Sequence, residues 1–194
     1  MRESSAMVEA GGKTLGRGLV ITISGLHGTG KSTHAKRLAE ALGLRYISAG
    51  MMFRQMAEDR GMNLREMSRL AEGGPELDRL VDERTKEEAK EGRVVIDAAL
   101  SGWMVEEADI KIFLTAPLEE RILRIAARDC ISIDEAREST LLRKRIEQER
   151  FMRYYGIDIT DLSIYDLVLN SELFDADSTA RILKRVVEEY RSGR

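Results

Sequence analysis

The sequence predicts an α/β protein built on a doubly wound, five-stranded parallel sheet. Two observations carry that prediction. Short apolar, strand-length runs recur at 19–23, 44–47, 94–96, 108–115 and 166–170, and the longer segments between them repeat their apolar residues with the helical period. Strands that alternate with helices are joined by crossovers rather than hairpins, so they pair in parallel with helices on both faces of the sheet.

The first run, 19–23, leads into Gly25-x-x-x-x-Gly30-Lys31-Ser32, and a helix follows with Ala35, Leu38, Ala39 and Leu42 on one face. Strand, glycine loop and helix form the setting in which this spacing makes a phosphate-binding P-loop, and the fold class narrows to the P-loop NTPase type. Gly25, Gly28 and Gly30 allow the positive φ and close approach that turn successive backbone N–H groups around phosphate oxygens. Leu26, His27 and Thr29 fill the variable positions, so 25–33 reads as the ATP-binding segment. The helix N-terminus adds its partial positive charge. Lys31 reaches the β- and γ-phosphates while the Ser32 hydroxyl ligates Mg²⁺. Thr33 supplies a second hydroxyl, but position assigns the metal to Ser32. The bland alternative is a glycine-rich turn that binds nothing, and the flanking strand and helix argue against it. His27 faces solvent or the nucleotide edge and takes no proton-transfer role.

The remaining elements follow in order. Gly43 stops the first helix, and 44–47 is the second strand. Ser48, Ala49 and Gly50 form a turn before a helix over 51–60, with Phe53, Met56 and Ala57 on one side and Arg54 on the other. A short helix near 64–71 precedes a Gly73-Gly74-Pro75 break. The helix over 76–91 turns Leu77, Leu80, Val81 and Ala89 inward and ends at Gly92. Strand 94–96 stops at Asp97, and strand 108–115 precedes a helix opened by Pro117 and running to 128. Ser132 and Glu135 form a capping box for a long helix that breaks before Gly156. Asp177 caps the last helix, whose apolar side includes Leu183, Val187 and Tyr190.

Composition bounds the partners. The 194 residues are 43% hydrophobic, enough for one domain with a substantial core, and the net charge of -3 gives no whole-chain attraction for nucleic acid or an anionic membrane. No apolar run approaches the roughly 18 residues of a membrane span. One cysteine, Cys130, excludes an internal disulfide and suits a reducing, cytoplasmic setting. No histidine lies near it in sequence to make it a nucleophile. Residues 1–17 carry acidic residues and paired glycines and read as a disordered leader ahead of a single domain over 18–194.

In a doubly wound sheet the ligand sits beyond the carboxyl ends of the strands. That rule gathers the P-loop, Ser48, Gly50, Arg54 and Asp97 at one site. Asp97 ends an apolar strand, where a P-loop enzyme keeps the acid that orients the Mg²⁺ shell; a turn-capping carboxylate is the plain alternative. Six basic residues fall within 137–153, among them Arg143, Arg150 and Arg153. Guanidinium forks suit phosphate, and phosphoryl transfer relies mainly on positioning and positive charge. The alternative is a solvated helix whose arginines pair with Glu138, Glu147 and Glu149. Trp103 reads better as a packing anchor than as a base-stacking platform.

Four stretches narrow the family: SAGMMFR at 48–54, SGWM at 101–104, ADIKIFL at 108–114 and RFMRYYGIDITDLSIYDLVLN at 150–170. With the P-loop they make the chain resemble the archaeal-type cytidylate kinases, which are P-loop nucleoside monophosphate kinases, from residue 19 to the last helix. The resemblance implies transfer of the ATP γ-phosphoryl group to CMP or dCMP with Mg²⁺. It also implies an acceptor-binding insert over about 48–92, a lid over about 130–156 and a cytoplasmic monomer. Ser48 and Gly50 would border the pyrimidine nucleotide, with Arg54 holding its phosphate and Asp97 beside it. Lys31 and the lid arginines Arg143, Arg150 and Arg153 would act on the transferring group.

One position departs from the family. Where an acid is followed by Gly-Arg-Leu, this chain has Asp97-Ala98-Ala99-Leu100, so Ala99 replaces an arginine that grips the acceptor phosphate. Removing one partner of a desolvated charge pair costs ~2 to 5 kcal/mol, which is about 30- to several-thousand-fold in rate. A different acceptor, or a non-catalytic nucleotide-binding module, therefore stands as the alternative expectation.

Overall fold

The structure, a computed structural model, describes residues 18–63, 66–67 and 75–193. Its strands are β1 (Val20–Gly25), β2 (Arg45–Ser48), β3 (Val94–Asp97), β4 (Ile110–Thr115) and β5 (Leu167–Asn170). The helices are α1 (Lys31–Leu42), α2 (Ala49–Asp59), α3 (Glu76–Glu91), the single turn α4 (Ser101–Met104), α5 (Leu118–Asp129), α6 (Ile133–Tyr155) and α7 (Ala176–Ser192). The strands form one parallel sheet in the order β2-β3-β1-β4-β5, as the alternating pattern requires.

Every residue of β1 is buried, so this apolar run holds the centre of the sheet, as expected of a parallel strand covered on both faces. On one face Ile21, Ile23, Val95 and Ile112 pack against Leu38 of α1 and Leu183 and Val187 of α7. On the other, Val20, Val94 and Ile96 meet Ala89 of α3 together with Val105 and Ala108. Because β1 has β3 on one side and β4 on the other, the chain leaving it stands where the strand order reverses, the position that collects ligands in open α/β sheets.

Several local readings hold in detail. Gly43 and Gly156 take the left-handed conformation that ends α1 and α6. The capping box is complete: the Ser132 hydroxyl accepts from the Glu135 amide at 3.2 Å, and the Ser132 amide donates to Glu135 Oε2 at 3.0 Å. Helix α3 has the limits expected of it.

Two readings need correction. Ser48-Ala49-Gly50 is not a turn: α2 begins at Ala49, with the Ser48 hydroxyl accepting from the Met51 amide at 3.2 Å as its N-cap. The final helix is capped by Asp175, whose carboxylate accepts from the Ser178 amide at 2.7 Å. Asp177 falls inside the first turn and pairs with Arg37 of α1 instead. The leader expected over 1–17 lies outside the described residues, as does most of the short helix near 64–71. From that stretch Met67 is described, buried with Ala57 and Leu77 between α2 and α3.

Candidate active site

A cleft of about 760 Å³ opens at the carboxyl ends of the strands, within the size range of small-ligand sites. Its floor is the P-loop. The carbonyls of that loop are tied outward: Leu26 accepts from the Thr29 hydroxyl at 2.8 Å, His27 from Arg121 Nε at 2.5 Å, and Thr29 from the Ser171 hydroxyl at 2.8 Å. Among the described residues the amides of 27–30 donate to nothing, which leaves donors turned toward an anion. Gly25 and Gly28 are required here. A Cβ at Gly25 would sit 2.2 Å from the Leu114 carbonyl oxygen, and one at Gly28 would sit 2.8 Å from that of Arg121.

Lys31 stretches back along the loop and donates to the Leu26 carbonyl at 3.0 Å. Burial lowers its pKa, and the nearby Asp97 carboxylate opposes that change. Ser32 Oγ donates to Asp97 Oδ2 at 2.5 Å, and the Tyr46 hydroxyl donates to the same oxygen at 3.1 Å. Burial, and then Asp97, raise the Tyr46 pKa and keep it a donor. Lys36 Nζ lies 5.5 Å from the centre of the Tyr46 ring, close enough for a cation–π contact.

The other walls come from α2, α3 and α6. Ser48, Gly50 and Arg54 line the cleft on the α2 side. From α6, Arg143 and Arg150 line it with Glu147 and Tyr155, while Asp78 and Asp82 do so from α3. Arg143 Nε donates to Glu147 Oε1 at 3.0 Å, the pairing expected of a helix surface, yet both side chains also face the cleft. Glu147 lies 3.6 Å from His27 Nε2 as well. Burial alone would raise the Glu147 pKa, but His27 and Arg143 override it and hold the carboxyl near about 2. Burial pushes the His27 imidazole below its usual value, so at neutral pH the charge opposite Glu147 is that of Arg143.

Of the sequence-predicted residues, His27, Gly28, Gly30, Lys31, Ser32, Thr33, Ser48, Gly50, Arg54, Asp97, Arg143 and Arg150 meet in this one cleft. Gly25, Leu26 and Thr29 frame the loop behind it. Arg153 is exposed and does not line the cleft, and Trp103 is half-buried outside it. Cys130 is exposed in the left-handed conformation that ends α5. Sequence reasoning missed Lys36, Tyr46, Asp78, Asp82, Arg124 and Tyr155. It also missed Arg121, which is 4% exposed behind the P-loop. A signal for Arg121 was present, because it shares the apolar stripe of Ile122 and Ile125 on α5.

Known proteins resemble this chain. Solved structures show the fold. Shikimate kinase from Bacteroides thetaiotaomicron superposes with a TM-score of 0.60 at 16% identity, over 88% of this chain and 98% of that one. A protein of Thermus thermophilus, TT1252, gives 0.58 at 23% identity, over 88% and 97%. Curated relatives are nearer in sequence. The cytidylate kinase of Staphylothermus marinus is 49% identical across 89% of this chain and 98% of its own. That of Pyrococcus horikoshii is 47% identical across 88% of each. The model of the cytidylate kinase-like family matches residues 20–173, nearly the whole of the sheet and its cleft. The chain belongs to the cytidylate kinase-like family.

Proposed function

We propose that this protein transfers the γ-phosphoryl group of ATP to CMP or dCMP, yielding ADP and CDP or dCDP. The observation that carries the reading is the joining in one cleft of a P-loop, the Ser48–Arg54 wall and the α6 arginines. Relatives called cytidylate kinase, at 45–49% identity over most of the chain, support the acceptor. The relatives named above lend no support to the alternative of a different acceptor or a module without catalysis.

The roles follow from position. The P-loop amides and Lys31 hold the β- and γ-phosphates, and Ser48, Gly50 and Arg54 hold the acceptor phosphate. An oxygen of that phosphate forms the new bond to the γ-phosphorus as the bond to the β-γ bridging oxygen breaks, and ADP leaves. A phosphate monoester has a second pKa of about 6, so the attacking oxygen is already ionised at neutral pH and no general base is needed. This agrees with His27 having no proton to move. Arg143 and Arg150 stabilise charge on the transferring group. Arg153 would act only if α6 moved.

The donor set suits Mg²⁺. Ser32 and Asp97 bring a hydroxyl and a carboxylate, two hard oxygen ligands, beside the phosphate loop, and Mg²⁺ favours a few such ligands completed by phosphate and water. When bound it neutralises charge on the β- and γ-phosphate oxygens. We further assign residues 48–92 as the acceptor segment and 130–156 as the lid.

The test is initial-rate ADP formation from Mg-ATP with CMP, dCMP, UMP, AMP or no acceptor. Rates with CMP or dCMP far above the others are expected. Equal rates with and without acceptor would refute the assignment.

A further inference from the structure

Helix α3 is anchored to α2 where the Thr85 hydroxyl meets Met52 Sδ at 3.8 Å. About one turn earlier on α3, Asp82 lines the cleft next to Val81, and the α2 residues from Ser48 to Arg54 line the same cleft. The carboxylate has a fixed orientation, because its Oδ2 accepts the hydroxyl of Tyr155 from the last turn of α6. Its Oδ1 takes no hydrogen bond among the described residues. Burial pushes the Asp82 carboxyl up, and the Tyr155 hydroxyl opposes this. Asp78, one turn away, adds like charge, so the pair of carboxylates costs stability in this wall. Asp78 has a use as the partner of Arg150, at 3.3 Å. Asp82 makes no such pair among the described residues: Lys86 and Arg150 oppose its charge only at longer range, and its one hydrogen bond, from Tyr155, leaves the second oxygen open in the cleft.

We infer that Asp82, oriented by Tyr155, accepts a hydrogen bond from the exocyclic amine of the acceptor's pyrimidine and so makes the site select an aminopyrimidine over an oxopyrimidine nucleotide. The inference rests on the cytidylate reading above and adds the residue that discriminates. An ionised carboxylate only accepts hydrogen bonds. It therefore matches the N4 amine of cytosine, the usual partner of Asp and Glu in base recognition, and repels the O4 carbonyl of uracil. Tyr155 is a positioning residue in this scheme. Ser48 and Arg54, which would hold the acceptor phosphate, and Asp82 line one cleft, so a base attached to that phosphate would have the α3 wall within the same cavity.

The experiment compares kcat/KM for CMP, for UMP and for the 2-pyrimidinone nucleotide that lacks the amine. It uses the wild-type protein, Asp82→Asn and Tyr155→Phe, each checked by thermal denaturation. A carboxamide can turn its NH₂ group toward the uracil carbonyl, so Asp82→Asn lowers the CMP-to-UMP ratio by about tenfold or more, with KM for ATP unchanged. Tyr155→Phe lowers the ratio less, in the same direction. Wild-type protein uses the amine-free nucleotide at least about tenfold less well than CMP, a comparison that stands even if a variant does not fold. An Asp82→Asn ratio within twofold of wild type overturns the inference, as does wild-type turnover of the amine-free nucleotide equal to that of CMP. Absence of any CMP-dependent ADP formation by wild-type protein would instead overturn the cytidylate reading beneath it.

Discussion

Ser32 Oγ donates to Asp97 Oδ2 across 2.5 Å, linking the first turn of α1 to the last residue of β3. The sheet register makes this contact possible. Ile23 near the end of β1 stands beside Asp97, so the loop leaving β1 begins level with the carboxylate. Asp97 is 4% exposed, and its Oδ2 is bonded by both Ser32 and Tyr46. A buried carboxylate held in this way is fixed before any ligand arrives.

Replacing Ser32 by Ala removes the hydroxyl and leaves Asp97 with Tyr46 alone. About 10- to 100-fold weaker Mg²⁺ binding is expected, with kcat lower by about 100-fold. Titration of Mg²⁺ at saturating ATP and CMP checks this. The melting temperature should hold within a few degrees, because Ser32 itself is exposed. An unchanged Mg²⁺ requirement would remove Ser32 from the metal site.

Gly28 has φ +80° and the backbone of Arg121 against it, with the nearest atoms of that residue at 2.8–3.0 Å from a would-be Cβ. Backbone cannot swing aside as a flexible side-chain end does. Gly28→Ala therefore shifts the loop or α5 and adds strain of about 1–3 kcal/mol. ATP affinity, measured calorimetrically, is expected to fall by about 10-fold or more, since 1.4 kcal/mol is a factor of ten. Stability falls with it. ATP affinity within threefold of wild type would show that the amides can regroup around the phosphates.

Glu147 supplies a pH dependence whose sign can be worked out. Its folded-state pKa is near about 2 against an ordinary 4.5, so the folded state favours the ionised form. The stabilisation is complete above pH 4.5 and disappears as pH falls toward 2. Two and a half units correspond to ~3 kcal/mol as an upper figure. Urea unfolding at pH 7 and pH 3 measures it. Glu147→Gln is expected to destabilise the protein at pH 7 and about half as much or less at pH 3, where the folded-state carboxylate is still mostly ionised, with Arg143 left without its partner. Equal destabilisation at both values would mean that packing, not charge, is what Glu147 contributes.

Much of the fold was legible because several elements announce their own ends. Ser132 and Glu135 fix the start of α6 by a contact three residues long, and Gly43 and Gly156 stop their helices by backbone conformation alone. Ser48 was misread for a related reason: a serine suits a turn and an N-cap equally, and only the Met51 amide bonding to it decides. Asp175 and Asp177 are both acids near one helix start, and Arg37 on α1 draws Asp177 into a different pairing. The candidate site was legible where chemistry is local, as in Gly25 to Ser32, or where a strand end dictates position, as at Asp97. The α3 wall was not. Asp78 and Asp82 look like the solvated side of an amphipathic helix, and only the meeting of α3 with Arg150 and Tyr155 of α6 turns them to the cleft.

Ala99 offers the sharpest test of how the acceptor phosphate is held. Its methyl group lines the cleft in the turn that follows Asp97, at the position where the resemblance leads one to expect an arginine. Arg54 lines the cleft from α2, Lys36 lies over Tyr46, and Arg150 is paired with Asp78. The cleft thus has cations from α1, α2, α5 and α6, while the turn after β3 brings Asp97 and the methyl group of Ala99 but no cation. A hydrogen bond to a charged group contributes about 1.5–3 kcal/mol, so Ala99→Arg is expected to lower KM for CMP by about tenfold or more. KM for ATP should not move, because the added guanidinium would act on the acceptor phosphate and not on the P-loop. Steady-state kinetics with each substrate varied in turn separates the two constants. A parallel change in both would place the new guanidinium on the donor side. No change in either would mean that Arg54 and its neighbours already saturate the acceptor phosphate, and that this chain has moved the missing charge to another wall.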